Sequence, residues 1–496
     1  MSDGFPLLEE AEAFRQVRAG GRPIFRWDSA EYATFYAPGY VCVVGLPDAD
    51  SFETTIQVEE SGVPNLFGSP SDQGQGVAWG PQLWRQADLA LAEARRWQEE
   101  PFRPECLTLY MNNECNLGCV YCHTDPLPGP APRLEPETIA VAAEVVAVHC
   151  RQKGRPLYGV FHGGGEPTLH QERVERALAL LDRAASAHDV ELFRYVATNG
   201  VMSEKKAAWL ARHFDLIGLS CDGPAEIQNR QRPGRDGGTT AHVVERTGRI
   251  LREEGGRFHV RTTITRATLS RQAEIADYIC QQFSPEEIHF EPVYLGGRTS
   301  AATGLGAHQA GEFVANFLKA RQVAREHGIL LATSGSRPDA LHGPYCHVFR
   351  DTLNLVPGGV ATACFKVTTA AQVEEKGAAI GALNRESGRF EIDQPRVREL
   401  CQRLDALPAG CTDCFNRYHC VRACPDYCPL EGNTRPDHGA AEPGFRCLAQ
   451  KALAYAIIRE AAERLWSARV KAGAARGTVH GTAILRSVLP PGSGGD

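Results

Sequence analysis

The chain has no uninterrupted apolar stretch approaching the roughly 18 residues of a membrane-spanning helix, and it has no long run of lysine and arginine. The first absence removes a membrane from the expected partners. The second gives no support to a nucleic-acid or anionic-surface partner, which would call for a clustered positive field. The opening MSDGFPLLEEAEAF is acidic and polar, so it does not read as a secretory signal, and the expected location is the cytoplasm. No internal repeat is visible.

What is present is ordinary in bulk: 496 residues, 43% hydrophobic and 23% charged, with a formal net charge of −7. That length suits about three domains. Cysteine is the exception, with seventeen residues. In a reducing compartment thiols on this scale point to metal ligands or catalytic groups more than to disulfides. Cys42, Cys106, Cys150, Cys221, Cys280 and Cys401 are scattered singly and read mostly as buried small hydrophobes. The other eleven concentrate at 115–122 and 346–447.

Residues 1–104 read as a small α+β extension: short strands in 23–46, a loop at 68–76 and a helix at 82–100. It could dock a substrate or simply pack against the core. From 105 to 300, short apolar runs at 107–111, 158–161, 193–196, 216–219, 259–264 and 288–290 alternate with helical stretches at 135–150, 171–187, 203–213, 241–254 and 270–282. Such alternation predicts parallel βα units, as a barrel or an open sheet, with ligands at the carboxyl ends of the strands. Residues 301–334 read as a helical linker. The segment 335–450 is rich in Cys, Pro and Gly with little regular pattern, a composition suited to being held by metal. Residues 451–496 read as a helix to about 471 and a disordered tail.

Directly after the first strand comes Cys115-Asn-Leu-Gly-Cys119-Val-Tyr-Cys122. Three thiolates on one short loop can face an iron–sulfur cube, and a 4Fe–4S cluster takes four ligands, so one iron would stay open. On spacing alone, a zinc site completed by His123 or a remote residue is the alternative. The C-x3-C-x2-C spacing, with an aromatic before the last cysteine, resembles the signature of radical S-adenosylmethionine (SAM) enzymes. In that family the open iron binds the amino and carboxylate groups of SAM, and reductive cleavage gives a 5′-deoxyadenosyl radical. Phe161-His-Gly-Gly164-Gly165-Glu166-Pro167 at the second strand end resembles the family's GGEP motif. Thr198-Asn199-Gly200 and Ser220-Cys-Asp222-Gly223-Pro224, at the third and fourth strand ends, resemble positions near the SAM ribose and carboxylate. The resemblance thus implies a SAM site at Gly164, Gly165, Glu166, Pro167, Thr198, Asn199, Ser220 and Asp222. Arg232, Arg261 and Glu291 are further candidates that read equally well as structural ion pairs.

The later cysteines run Cys346-x12-Gly359-x4-Cys364, then Cys411-x2-Cys414-x5-Cys420-x3-Cys424, then Cys428 and Cys447. This pattern resembles the SPASM domain that follows the radical SAM core in many peptide- and protein-modifying members. The resemblance implies one auxiliary cluster on Cys346, Cys364 and Cys424 and another on Cys411, Cys414, Cys420 and Cys447. Sulfatase-maturing members carry an extra cysteine six positions after the first, where Thr352 stands here. Cys428 could complete the first set, or an iron could stay open.

The fold the resemblance implies is α/β: a partial (β/α)6-type barrel with the N-terminal extension and a loop-rich iron–sulfur domain. It implies SAM and three 4Fe–4S clusters as cofactors. The leading expectation is a maturase that crosslinks or oxidises a ribosomally made peptide or protein, served by an external electron donor such as flavodoxin or ferredoxin. Formylglycine formation in a sulfatase is the alternative, and a non-catalytic electron-transfer or zinc-binding scaffold is the alternative from another class.

Overall fold

The structure is a computed structural model, and it describes residues 6–17, 20–58, 79–125, 131–338, 341, 350–405, 409–420, 444–471 and 480–483. The loop expected at 68–76 and the cysteines Cys346, Cys424 and Cys428 lie outside these residues.

After helix α1 (Pro6–Glu12), strands β1 (Arg15–Gln16), β2 (Phe25–Asp28), β3 (Tyr32–Ala37) and β4 (Tyr40–Gly45) form an antiparallel meander, followed by α2 (Leu46–Val58) and α3 (Trp79–Glu99). β3 and β4 are buried at every position, because both of their faces are covered. Ala33, Phe35 and Cys42 pack with Ile56, Leu83 and Ala87 of α2 and α3. On the other face Tyr32, Tyr36, Val41 and Val43 pack with residues from the far end of the chain, among them Tyr455 and Ile458.

The next six strands are β5 (Cys106–Leu109), β6 (Leu157–Phe161), β7 (Leu192–Thr198), β8 (Leu216–Ser220), β9 (Phe258–Ile264) and β10 (Glu287–Pro292). All neighbours pair in parallel and in sequence order. They are linked by α4 (Pro136–Lys153), α5 (Gln171–Ala187), α6 (Glu204–His213), α7 (Ala225–Gln231), α8 (Ala241–Glu253) and α9 (Gln272–Phe283). The six strands and five helices expected from apolar period are all present; α7, only seven residues long, was too short to show a period. Local chemistry sets the helix ends. Pro136 opens α4 and Gly154 closes it in the left-handed region at φ 62°. The Ser203 side chain caps α6 by accepting from the Lys206 amide. In α8 the residues Ala241, Val244, Gly248 and Leu251 make the buried stripe.

Beyond β10, helix α10 (Ala310–Glu326) delivers β11 (Leu330–Ala332), which pairs in parallel with β10. The stretch expected to be a helical linker therefore contains a further strand of the sheet. At the opposite edge β12 (Thr352–Val356) pairs in parallel with β5, and β13 (Val360–Thr362), β14 (Ala379–Asn384) and β15 (Arg389–Ile392) continue it antiparallel, with α11 (Ala370–Glu375) and α12 (Gln394–Asp405) alongside. The result is one eleven-stranded sheet. Helix α13 (Phe445–Lys471) then returns across the N-terminal sheet. The expectation of a disordered tail fails at one place: β16 (His480–Ala483) pairs antiparallel with β4, where it satisfies an otherwise open edge. No helix among the described residues is long and apolar enough to cross a membrane.

Removing everything after Lys471 should uncover that edge. Hydrogen exchange is expected to speed at the amides of β4 and to stay unchanged in β5–β10; equal protection of β4 in the truncated chain would contradict the pairing.

Candidate active site

Inside the curved sheet, β-strand alternation separates two environments. Leu107 and Leu109 of β5 face the helices and are fully buried, whereas Thr108 and Tyr110 line a cavity of about 520 Å³. Such a volume is in the range of small-molecule sites. Cys119, Cys122, His123, His162, Ser220 and Arg261 also line it, together with Glu291 and Tyr294.

The loop carrying Cys115, Cys119 and Cys122 leaves the carboxyl end of β5 and is gripped from three sides. The Gly118 amide donates to Pro233 O at 2.8 Å, and the Val120 amide to Gln231 O at 3.0 Å. Asn116 Nδ2 donates to Val201 O at 3.0 Å, and Thr124 Oγ1 to Gly164 O at 2.9 Å. The glycine triplet after β6 makes this close approach possible. Gly163 and Gly164 have φ of 105° and 69°, conformations that favour glycine. A Cβ on Gly164 would overlap the carbonyl oxygen of Asn112, and one on Gly165 that of Glu114.

Glu166 is buried and turned into the protein. Its Oε1 accepts from the Thr168 amide (3.1 Å), Thr168 Oγ1 (2.7 Å) and Thr198 Oγ1 (2.8 Å), and its Oε2 from the Asn199 amide (2.7 Å). Burial raises its pKa, and these hydrogen bonds oppose the rise. Pro167 starts the short turn that Glu166 caps. Asn199 Nδ2 donates to Asn116 Oδ1 at 2.7 Å, tying β7's end to the cysteine loop. Asp222 is fully buried; its carboxylate receives the Tyr121 hydroxyl at 2.5 Å, Gln231 Nε2 at 2.8 Å and the Thr263 amide at 2.9 Å. Of the eight residues expected around SAM, Ser220 opens onto the cavity, while Glu166, Thr198 and Asp222 are engaged with other protein groups.

The three loop thiols suit a cluster. Burial pushes Cys115 up to about 11 and Cys119 up to about 12, so ionising them would call for a compensating positive charge, which iron would supply. Among the described residues no three His, Cys, Asp or Glu side chains converge on the point a single ion would occupy; a cube distributes its ligands over separate irons, so its thiolates need not converge. His123 packs edge-on against Tyr294 and Phe365, and burial lowers its pKa to about 4.

Of the auxiliary cysteines, Cys447 at the start of α13 lies within electrostatic reach of Cys414 and Cys411, and burial raises its thiol to about 11. Cys420 Sγ donates to Gln450 Oε1 of the same helix at 3.1 Å. Cys364 follows the β12–β13 hairpin, which turns through Gly358 and Gly359 at φ of 105° and 78°. The residues just after Cys364 dock on the first loop: Tyr110 donates to Phe365 O at 2.7 Å and Asn113 Nδ2 to Thr368 O at 2.8 Å. The segment that follows Cys364 therefore borders the same end of the sheet as the first cysteine loop.

Several cavity residues carried no sequence signal. His162 opens onto the cavity, yet enclosure by the protein lowers its pKa to about 3, with Arg261 and His123 adding to the effect. It directly precedes the glycine triplet, which was its only marker. Tyr294 and Phe365 reach the cavity from separate segments, as does Thr352, marked in the sequence only by its spacing from Cys346; Cys106 lines it as well, although its isolated position suggested a buried hydrophobe. The Glu291 carboxylate accepts from the Ser334 amide at 3.0 Å and from Ser334 Oγ at 2.5 Å.

Residues 109–279 match the Radical SAM superfamily. This part of the chain is a radical SAM domain, which implies SAM and a 4Fe–4S cluster. The chain as a whole resembles the maturases of that superfamily. It is 30% identical to the cysteine-type anaerobic sulfatase-maturating enzyme of Clostridium perfringens, but the match spans 23% of this chain and 31% of that protein. It is 22% identical to the serine-type enzyme of Klebsiella aerogenes over 71% of this chain and 86% of that one. Among solved structures, native anSMEcpe with bound AdoMet is similar in fold, with a TM-score of 0.55 and 17% identity, covering 71% of this chain and 97% of that chain.

Gly165→Ala should force the cysteine loop away from β6 and cost about 1–3 kcal/mol, the range for overpacking. Urea denaturation and iron content of the reconstituted protein are expected to fall together; wild-type values for both would show that the close approach is not needed.

Proposed function

We propose that this chain is a radical SAM maturase that modifies a ribosomally made peptide or protein by crosslinking or oxidation. The observation that carries the reading is the placement of three cysteines on the loop that follows β5, two of which, Cys119 and Cys122, line the cavity walled by the parallel strands. In this reading Cys115, Cys119 and Cys122 hold the SAM-binding cluster, and Gly164, Gly165 and Ser220 border the nucleotide. Glu166, Pro167, Thr198, Asn199 and Asp222 fix the strand ends around it. The bound cofactors would supply the radical by reductive cleavage of SAM, while the cavity walls orient the substrate and exclude water. Two auxiliary clusters, on Cys411, Cys414, Cys420 and Cys447 and on Cys364 with Cys346 and Cys424, would exchange electrons with the substrate or bind it. A flavodoxin- or ferredoxin-like donor would supply the reducing electron. A peptide partner is supported by the anSMEcpe structure solved with bound AdoMet and the Cp18Cys peptide, which has 18% identity and a TM-score of 0.55.

Formylglycine formation in a sulfatase is the second reading, favoured by the resemblance to the Klebsiella enzyme over most of both chains. Against it stands Thr352, at the spacing where sulfatase maturases have a further cysteine. It pairs in register with Cys106 and lines the cavity beside it, so position 352 itself offers no thiolate.

Anaerobic reconstitution with iron and sulfide, followed by reduction in the presence of SAM, should release 5′-deoxyadenosine. Changing Cys115, Cys119 and Cys122 together to Ala should abolish that release while leaving auxiliary cluster absorbance. Undiminished release in the triple variant would overturn the assignment. Aldehyde formation in a Cys- or Ser-containing sulfatase peptide would select the second reading.

A further inference from the structure

Tyr121 stands between two of the loop cysteines, and its hydroxyl is committed to Asp222. Asp222 has no exposed surface, and its Oδ1 lies 3.1 Å from Arg232 Nε. The Arg232 guanidinium lies over the Tyr121 ring, 5.4 Å from its centroid. It is buried as well, and Cys119 is among the groups that act on it electrostatically. Two opposite charges are thus enclosed against the cysteine loop, cross-braced by the tyrosine and by Gln231.

For folding alone this is a poor bargain. Enclosing two ions carries a desolvation cost that their attraction repays only with good geometry, and well-packed apolar residues often do as well. The pair has another consequence, because charges inside a protein are weakly screened. An enclosed positive charge favours adding an electron to a neighbouring redox centre, and an enclosed negative charge opposes it. Iron–sulfur potentials respond to local charge, hydrogen bonding and solvent exposure.

We propose that the Asp222–Arg232 pair, cross-braced by Tyr121, sets the reduction potential of the cluster carried by Cys115, Cys119 and Cys122. Arg232 pulls the potential up, Asp222 pulls it down, and the pair keeps the two effects nearly cancelled. Both are positioning residues that act on the cluster through space and through Tyr121. This inference rests on the proposed cluster assignment and adds a role that ligand spacing does not carry. It also moves Asp222 from contact with SAM to control of the cluster.

The test is a redox titration of the anaerobically reconstituted full chain, following the paramagnetic signal that changes when SAM is added. Asp222→Asn should raise the potential, and Arg232→Met should lower it. Each should shift the reduction equilibrium about tenfold, equivalent to ~59 mV for a one-electron couple. The double variant should return close to wild type, and Arg232→Lys, which keeps the charge, should stay close to it. Shifts of the same sign in both single variants would overturn the inference, as would wild-type potentials in variants holding full iron. Should Asp222→Asn fail to hold iron, the Arg232→Met and Arg232→Lys comparison decides alone. Should Arg232→Met also fail, a potential in Arg232→Lys that departs from wild type by the same tenfold would overturn it. A SAM-responsive signal that survives in the triple cysteine variant would instead remove the cluster assignment itself.

Discussion

The functional end of the sheet depends on one buried carboxylate. Glu166 takes hydrogen bonds from the turn that follows it and from the end of β7, so two strand ends are fixed relative to each other by a single side chain. Asn199, held in place by that carboxylate, passes the constraint on to the cysteine loop through Asn116. Buried donors that lose such an acceptor carry the full cost of desolvation. The arrangement therefore tolerates little displacement, and the loop carrying Cys115, Cys119 and Cys122 gains its fixed shape from it.

Around this frame the cavity wall is unusually rich in ionisable side chains for the interior of a sheet. Arg261, Glu291, His123 and His162 share it, and enclosure holds both histidines neutral at ordinary pH. The histidines thus contribute hydrogen-bonding capacity without charge, leaving Arg232, Arg261, Arg337 and Glu291 to shape the field inside the cavity. The auxiliary region leans on the same wall. Arg446, next to Cys447, donates to Pro292 O at 2.8 Å and Val293 O at 3.0 Å and lies over the Tyr294 ring.

The parallel core was legible because its strands and helices each carry a sustained apolar period with punctuated ends. The glycine triplet and the cysteine spacing stood out for a similar reason: they are dense local signals. What stayed hidden was built from non-local pairing. β12 joins β5 across more than two hundred positions of chain, and nothing in Thr352–Val356 announces that partner. The strands β13–β15 are only three to six residues long, where alternation is too brief to register. Side-chain partners were also unreadable: the motif pointed to Asp222, but only the fold reveals that its carboxylate bonds Tyr121 and pairs with Arg232.

The way the N-terminal sheet is completed bears on how the chain is made. Domains usually fold as units, the amino-terminal one first during synthesis. Here β3 and β4 find the covering for one face in α13 and for one edge in β16, both supplied by residues beyond 444. These strands therefore depend on segments that follow them by about four hundred residues of chain, and their sheet closes only once those segments have been made. Without α13 the apolar residues Tyr36, Val41 and Val43 lack its covering on that face.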